Sequence, residues 1–183
     1  MNKTFKKILP VLLLIWPYLC VIPFGIGSAD EDFYGPVMGI YMVFTVAVYL
    51  LNIISACMDK DNAAHRRLAF WDMVMKVAHI PFYLAVFVLG VLLLLTIVVP
   101  AMVFVTPFMV GILVVVDLML MITTSLYGVK ALLKGCRLGL LSKTYTVVHI
   151  VLHCFFVTDV ISAVMIYFKL RKAGKREGGN YYV

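Results

Sequence analysis

Five apolar stretches, each long enough to cross a bilayer as a helix, make up most of this sequence. A helix that crosses the hydrocarbon core needs about 20 apolar residues. The stretches occupy residues 8–27, 37–58, 70–98, 102–127 and 144–168. Only 14% of the 183 residues are charged, and the mean hydropathy is +1.05. We therefore predict an all-α fold, a polytopic transmembrane helical bundle of five spans that forms a single integral membrane domain over residues 1–183.

The first stretch also has features of a cleavable signal peptide. Three lysines precede it, and residues 27–29, Gly-Ser-Ala, approximate a small-x-small cleavage site. Its apolar run is longer than the core of a typical signal peptide, so we predict an uncleaved helix. Cleavage would leave four spans and would not change the side of any later loop.

The distribution of basic residues predicts the orientation of the chain. Lys3, Lys6 and Lys7 precede the first stretch, while residues 30–32 after it are acidic. We therefore predict a multi-pass protein of the plasma or inner membrane with a cytoplasmic N-terminus. Five crossings place ten Lys and Arg residues inside and five outside. The five outside lie in residues 169–183, a predicted basic, flexible C-terminal tail that conflicts with the positive-inside rule.

Several functional classes find no support in the sequence. The formal charge of +7 comes from basic residues that flank apolar stretches, so we predict no nucleic-acid partner. The four cysteines form no CxxC pair, which argues against a disulfide framework or a zinc knuckle. There is no GxSxG, no HExxH and no glycine-rich phosphate loop, and the short loops offer no place to build an active site. We therefore predict that the chain is not an enzyme.

Ionisable residues interrupt the third stretch on one helical face. At 100° per residue, Asp72, Lys76, His79 and Tyr83 lie within about 60° of one another. Ionisable groups in a membrane normally face a bundle interior or a wet cavity, so this face should point inward. Asp72 and Lys76 have the acid-before-base spacing of four that favours an ion pair. The alternative is a pair that extends toward the membrane interface.

The last stretch carries three more ionisable residues. His149 and His153 share one helical face, whereas Asp159 points about 80° away and has no obvious basic partner. His79 and His153 both lie about nine residues, or about 14 Å, from the cytoplasmic side, and Asp117 can join them in one layer. The predicted polar layer, a candidate relay or ligand site, comprises Asp72, Lys76, His79, Asp117, His149, His153 and Asp159.

The two histidines of the last stretch allow three roles. They can be neutral rings that hydrogen-bond to neighbouring helices, members of a proton relay, or ligands of a metal ion or a non-covalent haem b. The haem alternative requires His79 to face His149 or His153 across a gap. We expect no cofactor, and haem b or a metal ion remains the alternative.

Two further features predict contacts with lipid or with other helices. Lys130, Lys134 and Arg137 share a face in residues 128–143, which we predict to be an interfacial amphipathic helix on anionic lipid. Gly35 and Gly39 form a GxxxG pattern that permits close helix approach, and hence a homo-oligomer.

Three functional hypotheses follow. The absence of motifs and the minimal loops favour a non-catalytic accessory subunit that binds a larger membrane protein. The polar layer favours a small transporter or proton-coupled carrier, and the histidines favour a haem- or metal-binding redox protein. The short loops and basic flanks resemble those of small multi-pass membrane proteins of bacteria, a resemblance that implies no mechanism.

Overall fold

The described part of the chain consists almost entirely of helices. A computed structural model describes residues 5–20, 31–58, 64–153 and 155–179, and these residues contain no strand. The predicted all-α fold is confirmed. Its helices are α1 (Phe5–Ile15, followed by a 3-10 helix at Trp16–Cys20), α2 (Glu31–Met58), α3 (His65–Leu95), α4 (Val105–Arg137), α5 (Lys143–Leu152) and α6 (Phe156–Gly179).

Three of the helices are long and apolar enough to cross a membrane. They span Gly35–Met58, His65–Val98 and Val105–Arg137. The first predicted span corresponds to a shorter apolar segment, Ile8–Cys20, and the remainder of that prediction lies outside the described residues. The described residues therefore contain three helices of spanning length, and the predicted count of five spans is not confirmed.

The buried core occupies one end of the bundle, where α2 ends, α3 begins and α4 ends. There α1 packs on α2 and α3, and α6 packs on α3 and α4. The fully buried apolar side chains of this core include Leu13, Met75, Leu132, Ile166 and Leu170. At the other end, α3 after Tyr83 and α4 between Thr106 and Leu120 contain no buried residue. We call these two segments the bare outer halves of α3 and α4.

A tight turn separates α4 from α5. The Leu140 N–H donates to the Gly135 carbonyl at 3.0 Å, and Gly139 has a φ of +73°, a left-handed conformation that favours glycine. The Ser142 side chain then caps α5 by accepting the Tyr145 N–H at 3.2 Å. The structure differs here from the separate interfacial helix predicted for residues 128–143, because residues 128–137 continue α4 without a break.

The predicted continuous fifth span, residues 144–168, is wrong. The helix ends at Leu152, and a new helix begins at Phe156. The Thr158 hydroxyl donates to the Leu152 carbonyl at 2.9 Å, and the Asp159 N–H donates to the Phe155 carbonyl at 2.8 Å. The first bond satisfies a carbonyl that a continuous helix would have paired internally, whereas the second is the usual i to i−4 bond at the start of α6. The chain can therefore reverse direction here.

α5 and α6 form an antiparallel hairpin that returns to its starting end. At the open end, the Lys169 ammonium lies 3.3 Å from the centre of the Tyr145 ring. Near the tip, His153 contacts Asp159. The ten residues of α5 rise about 15 Å, which is half of a hydrocarbon core. Residues 169–179, predicted to be flexible, continue α6 on the same side as the end of α4.

Candidate functional site

Four ionisable side chains meet where the tip of the hairpin packs on the bundle. Asp72 and Lys76 come from α3, His153 follows α5, and Asp159 lies in the first turn of α6. Their residue exposures are 0%, 1%, 4% and 4%, respectively. We call these four residues the charge cluster. Asp159 thus occupies a helix position that favours acidic residues, because free backbone N–H groups point toward the first turn.

Lys76 is the centre of the charge cluster. Its ammonium nitrogen lies 3.2 Å from Asp72 Oδ1 and 2.7 Å from His153 Nδ1, and it forms an ion pair with Asp159. The pairing expected between Asp72 and Lys76 is therefore present. The expectation that Asp159 lacks a basic partner is wrong, because the helix break turns Asp159 back toward α3.

His153 Nδ1 has two competing partners in the cluster. It lies within hydrogen-bonding distance of Lys76 Nζ and of Asp159 Oδ1. A ring nitrogen can accept from the lysine only when it carries no proton, and it can donate to the carboxylate only when it carries one. One protonation state of His153 therefore cannot satisfy both contacts.

Two polar groups of the cluster point toward Gly128 of α4. His153 Nε2 and Asp72 Oδ2 have no hydrogen-bond partner among the residues that the structure describes. A Cβ added to Gly128 would lie 2.7 Å from His153 Nε2 and 2.8 Å from Asp72 Cγ. The absence of a side chain at this position therefore allows α4 to approach both groups. On the other side, Ser125 Oγ donates to Asp159 Oδ2 at 3.4 Å.

His149 joins the two helices of the hairpin outside the charge cluster. Its Nδ1 lies 2.6 Å from Ser162 Oγ on α6, and its ring centre lies 4.0 Å from that of Tyr145. His149 and His153 are both buried but have different partners. The structure thus favours a packing role for His149.

His79 lies on the same face of α3 as Lys76, one turn further along, and it contacts the N-terminal segment instead of the hairpin. Its ring lies 6.3 Å from that of Tyr18, and backbone groups of Leu13 and Leu14 face it. These contacts place His79 against the N-terminal segment, whereas His149 and His153 face α6. A haem would require His79 to face His149 or His153, and these histidines contact different parts of the chain instead. Nor do the described residues contain a group of three His, Cys, Asp or Glu side chains with the spacing of a metal site.

Asp117 and the basic residues of α4 lie outside the cluster. Asp117 is half-buried, and its Oδ1 has no hydrogen-bond partner among the described residues. Lys134 is buried, Lys130 is half-buried and Arg137 is exposed. These three side chains therefore do not present one uniform basic face, and their contact with anionic lipid stays a prediction.

Sequence reasoning missed the residues that complete the site. Ser125, Gly128 and Ser162 are small and lie in apolar surroundings, so neither charge nor periodicity distinguishes them. Pro81 lies inside α3 and has no N–H to donate to the carbonyl four residues earlier. The α3 helix nevertheless continues through it, and the neighbouring Ala78 carbonyl accepts from the Tyr18 hydroxyl.

The comparisons with known proteins place the chain in a family without assigning its activity. No curated protein and no solved structure matches the sequence. A family described as a family of unknown function, DUF6652, matches residues 8–172. That match includes the whole charge cluster and most of the hairpin. The chain therefore belongs to DUF6652.

Proposed function

We propose that this chain is a non-catalytic, proton-coupled membrane carrier whose proton site is the charge cluster and whose moving part is the α5–α6 hairpin. The observation that carries the proposal is the double contact of His153 Nδ1 with Lys76 and Asp159. Ionisable groups buried at membrane depth are costly, and in membrane proteins they commonly mark ion or proton pathways.

One proton changes both the charge of the cluster and its contacts. With both carboxylates ionised and Lys76 charged, a neutral His153 leaves a net charge of −1, and a protonated His153 leaves none. Protonated Nδ1 donates to Asp159 and no longer accepts from Lys76, so the ammonium moves toward Asp72. Deprotonation returns Lys76 to His153. Proton exchange therefore changes how strongly the hairpin tip is held to α3.

The hairpin has the geometry of a movable element. Gly139 lies in the turn that joins it to α4, and we propose this turn as the hinge at its base. Non-helical backbone at membrane depth, as at His153 and Phe155, is tolerated where protein or a cavity surrounds it. In secondary transporters, broken helices of this kind form substrate and ion sites.

The hairpin also supports the predicted orientation. Of the 16 Lys and Arg residues, all except Lys76 fall on the cytoplasmic side when α6 returns to the side that it left, which removes the conflict in the tail. A cysteine introduced at Lys172, in a background without the native cysteines, should then react with a bulky maleimide from the cytoplasmic side only. Labelling from the opposite side would contradict the re-entrant hairpin.

Proton binding can be tested in proteoliposomes adsorbed to a solid-supported electrode. A rapid pH step should produce a protein-dependent current in the wild type, because protons enter the cluster and displace charge. His153→Gln should abolish that current. His79→Gln is the matched control, since it makes the same substitution at a buried histidine outside the charge cluster and should retain the current. Equal currents from the wild type and His153→Gln would refute the proposed proton site.

An accessory subunit is the second candidate, and the bare outer halves of α3 and α4 favour it. Neither segment has a buried residue, so either can pack against the helices of a larger membrane protein. Native mass spectrometry of the gently extracted protein distinguishes the candidates. A stable foreign subunit would support the accessory role, whereas a chain without one, alone or as a homo-oligomer, would support the carrier.

A further inference from the structure

An apolar groove with one carboxyl group lies between the outer halves of α3 and α4. Its volume is about 490 Å³, within the range of small-molecule sites. Tyr83 and Phe87 line it from α3, and Val114 and Asp117 line it from α4. Gly90 widens it, since a Cβ there would meet only the Leu113 side chain, at 3.7 Å. The groove is remote in sequence from the hairpin and includes no member of the charge cluster.

Among the residues that the structure describes, Asp117 is the only charged one that lines this groove. Its Oδ1 is buried without a hydrogen-bond partner in the described part of the chain, and no described residue forms an ion pair with it. An ionised carboxyl group in apolar surroundings is costly unless a cation or a donor offsets its charge. The groove therefore lacks a positive charge but offers an apolar surface.

We infer that the groove binds a lipophilic organic cation, an ammonium- or phosphonium-type ion with an apolar body. The carboxyl group of Asp117 attracts the positive centre, and the aromatic faces of Tyr83 and Phe87 add cation–π attraction. The aliphatic lining accommodates the apolar body. An acyl chain of a lipid would fill the same space but would gain nothing from the carboxyl group. Binding of the cation depends only on the groove, whereas its transport rests on the proposed carrier function.

Protons should compete with the cation. Protonation of Asp117 removes the charge that attracts it, so binding should weaken as the pH falls. The titratable groups that face Asp117 from the packed helices are Tyr49 of α2 and Tyr83 of α3. Both are phenols that stay neutral around neutral pH, so one carboxyl group controls the competition.

The probe for the test is tetraphenylphosphonium, which keeps its charge at every pH. Its equilibrium binding to the full-length protein in lipid nanodiscs should exceed that of tetraphenylborate, an anion of nearly the same shape. Asp117→Asn should weaken tetraphenylphosphonium binding by about tenfold or more, because it removes the charge while preserving the volume. Binding to Asp117→Asn should also lose its dependence on pH.

A second pair of variants tests the groove itself. Gly90→Leu should fill the groove and block the probe without changing Asp117. Gly111→Leu is the matched control, because Gly111 lines a different groove, on the α2 side of α4, and an added Cβ would meet nothing within 4 Å. This control should bind the probe as the wild type does.

Three results would overturn the inference. They are equal binding of the cation and the anion, unchanged binding to Asp117→Asn, or unchanged binding to Gly90→Leu. Loss of a bound subunit or second copy in Asp117→Asn would likewise overturn it, since the groove would then hold a helix with a basic side chain. None of these results bears on the pH-step current of the charge cluster, so the two proposals can fail separately.

Discussion

Replacing Lys76 by methionine is expected to lower the free energy of unfolding by about 3–5 kcal/mol. The substitution removes the one permanent cation of the cluster and leaves Asp72 and Asp159 buried beside each other. The lost attraction is only part of the effect. Most of it comes from uncompensated buried charge, which is why the expected effect is far larger than that of a surface ion pair. Reversible unfolding in mixed micelles measures the change.

A double variant separates the charge effect from lost packing. Lys76→Met combined with Asp159→Asn removes one positive and one negative charge, so it should be more stable than Lys76→Met alone. If packing alone mattered, the second substitution would add its own cost and the double variant would be the less stable. A loss below about 1 kcal/mol for Lys76→Met, the size typical of an exposed pair, would show that water reaches the cluster.

Substituting Gly128 by alanine is expected to destabilise the protein by about 1–3 kcal/mol, the usual range for overpacking. The new Cβ would lie 2.8 Å from Asp72 Cγ and 2.7 Å from His153 Nε2. Both side chains are fixed by Lys76, so neither can move without breaking a charged contact. The variant should therefore also shift the pH-step current, because it changes the environment of His153.

The control for this substitution lies on the same helix. Gly111→Ala introduces the same methyl group where nothing lies within 4 Å. It should leave stability unchanged or raise it by up to about 1 kcal/mol, since alanine is the better helix former. Equal effects at Gly111 and Gly128 would mean that helix propensity, and not contact with the cluster, determines the result.

The sequence allowed the class of fold to be predicted because that depends on length and hydropathy alone. A backbone in lipid must satisfy its own hydrogen bonds, so long apolar stretches become helices. The contact between Asp72 and Lys76 was equally predictable, because a spacing of four brings two side chains together within any helix. Both predictions depend on neighbouring residues and need no knowledge of which helices meet.

The hairpin could not be predicted in the same way. A stretch of 25 apolar residues has the same length as one crossing or as two half-crossings, so counting cannot distinguish them. Two signals were present nonetheless. Thr158 and Asp159 are residue types that favour helix starts, and they lie in the middle of the predicted span. The basic tail also violated the positive-inside rule, which a chain that reverses direction obeys.

The partners of Asp159 could not be predicted because they depend on the chain reversal between α5 and α6. Lys76 and Asp159 are 83 positions apart in the sequence, and periodicity identifies the face of a helix but not the helix that it meets. A continuous helix also placed Asp159 near the outer side, whereas the hairpin keeps it at the depth of Lys76. The charge cluster therefore could not be predicted without knowing which helices pack together.

Solid-state NMR of the protein labelled with ¹⁵N-histidine, in lipid, observes the proton switch directly. The His153 signals can be assigned by their loss in His153→Gln. When the pH is varied over a wide range, we expect His153 to show both the form that donates from Nδ1 to Asp159 and the form that accepts from Lys76, with Lys76→Met changing their proportions. A His153 ring that keeps one protonation state across this range would contradict a proton-dependent contact between the hairpin and α3.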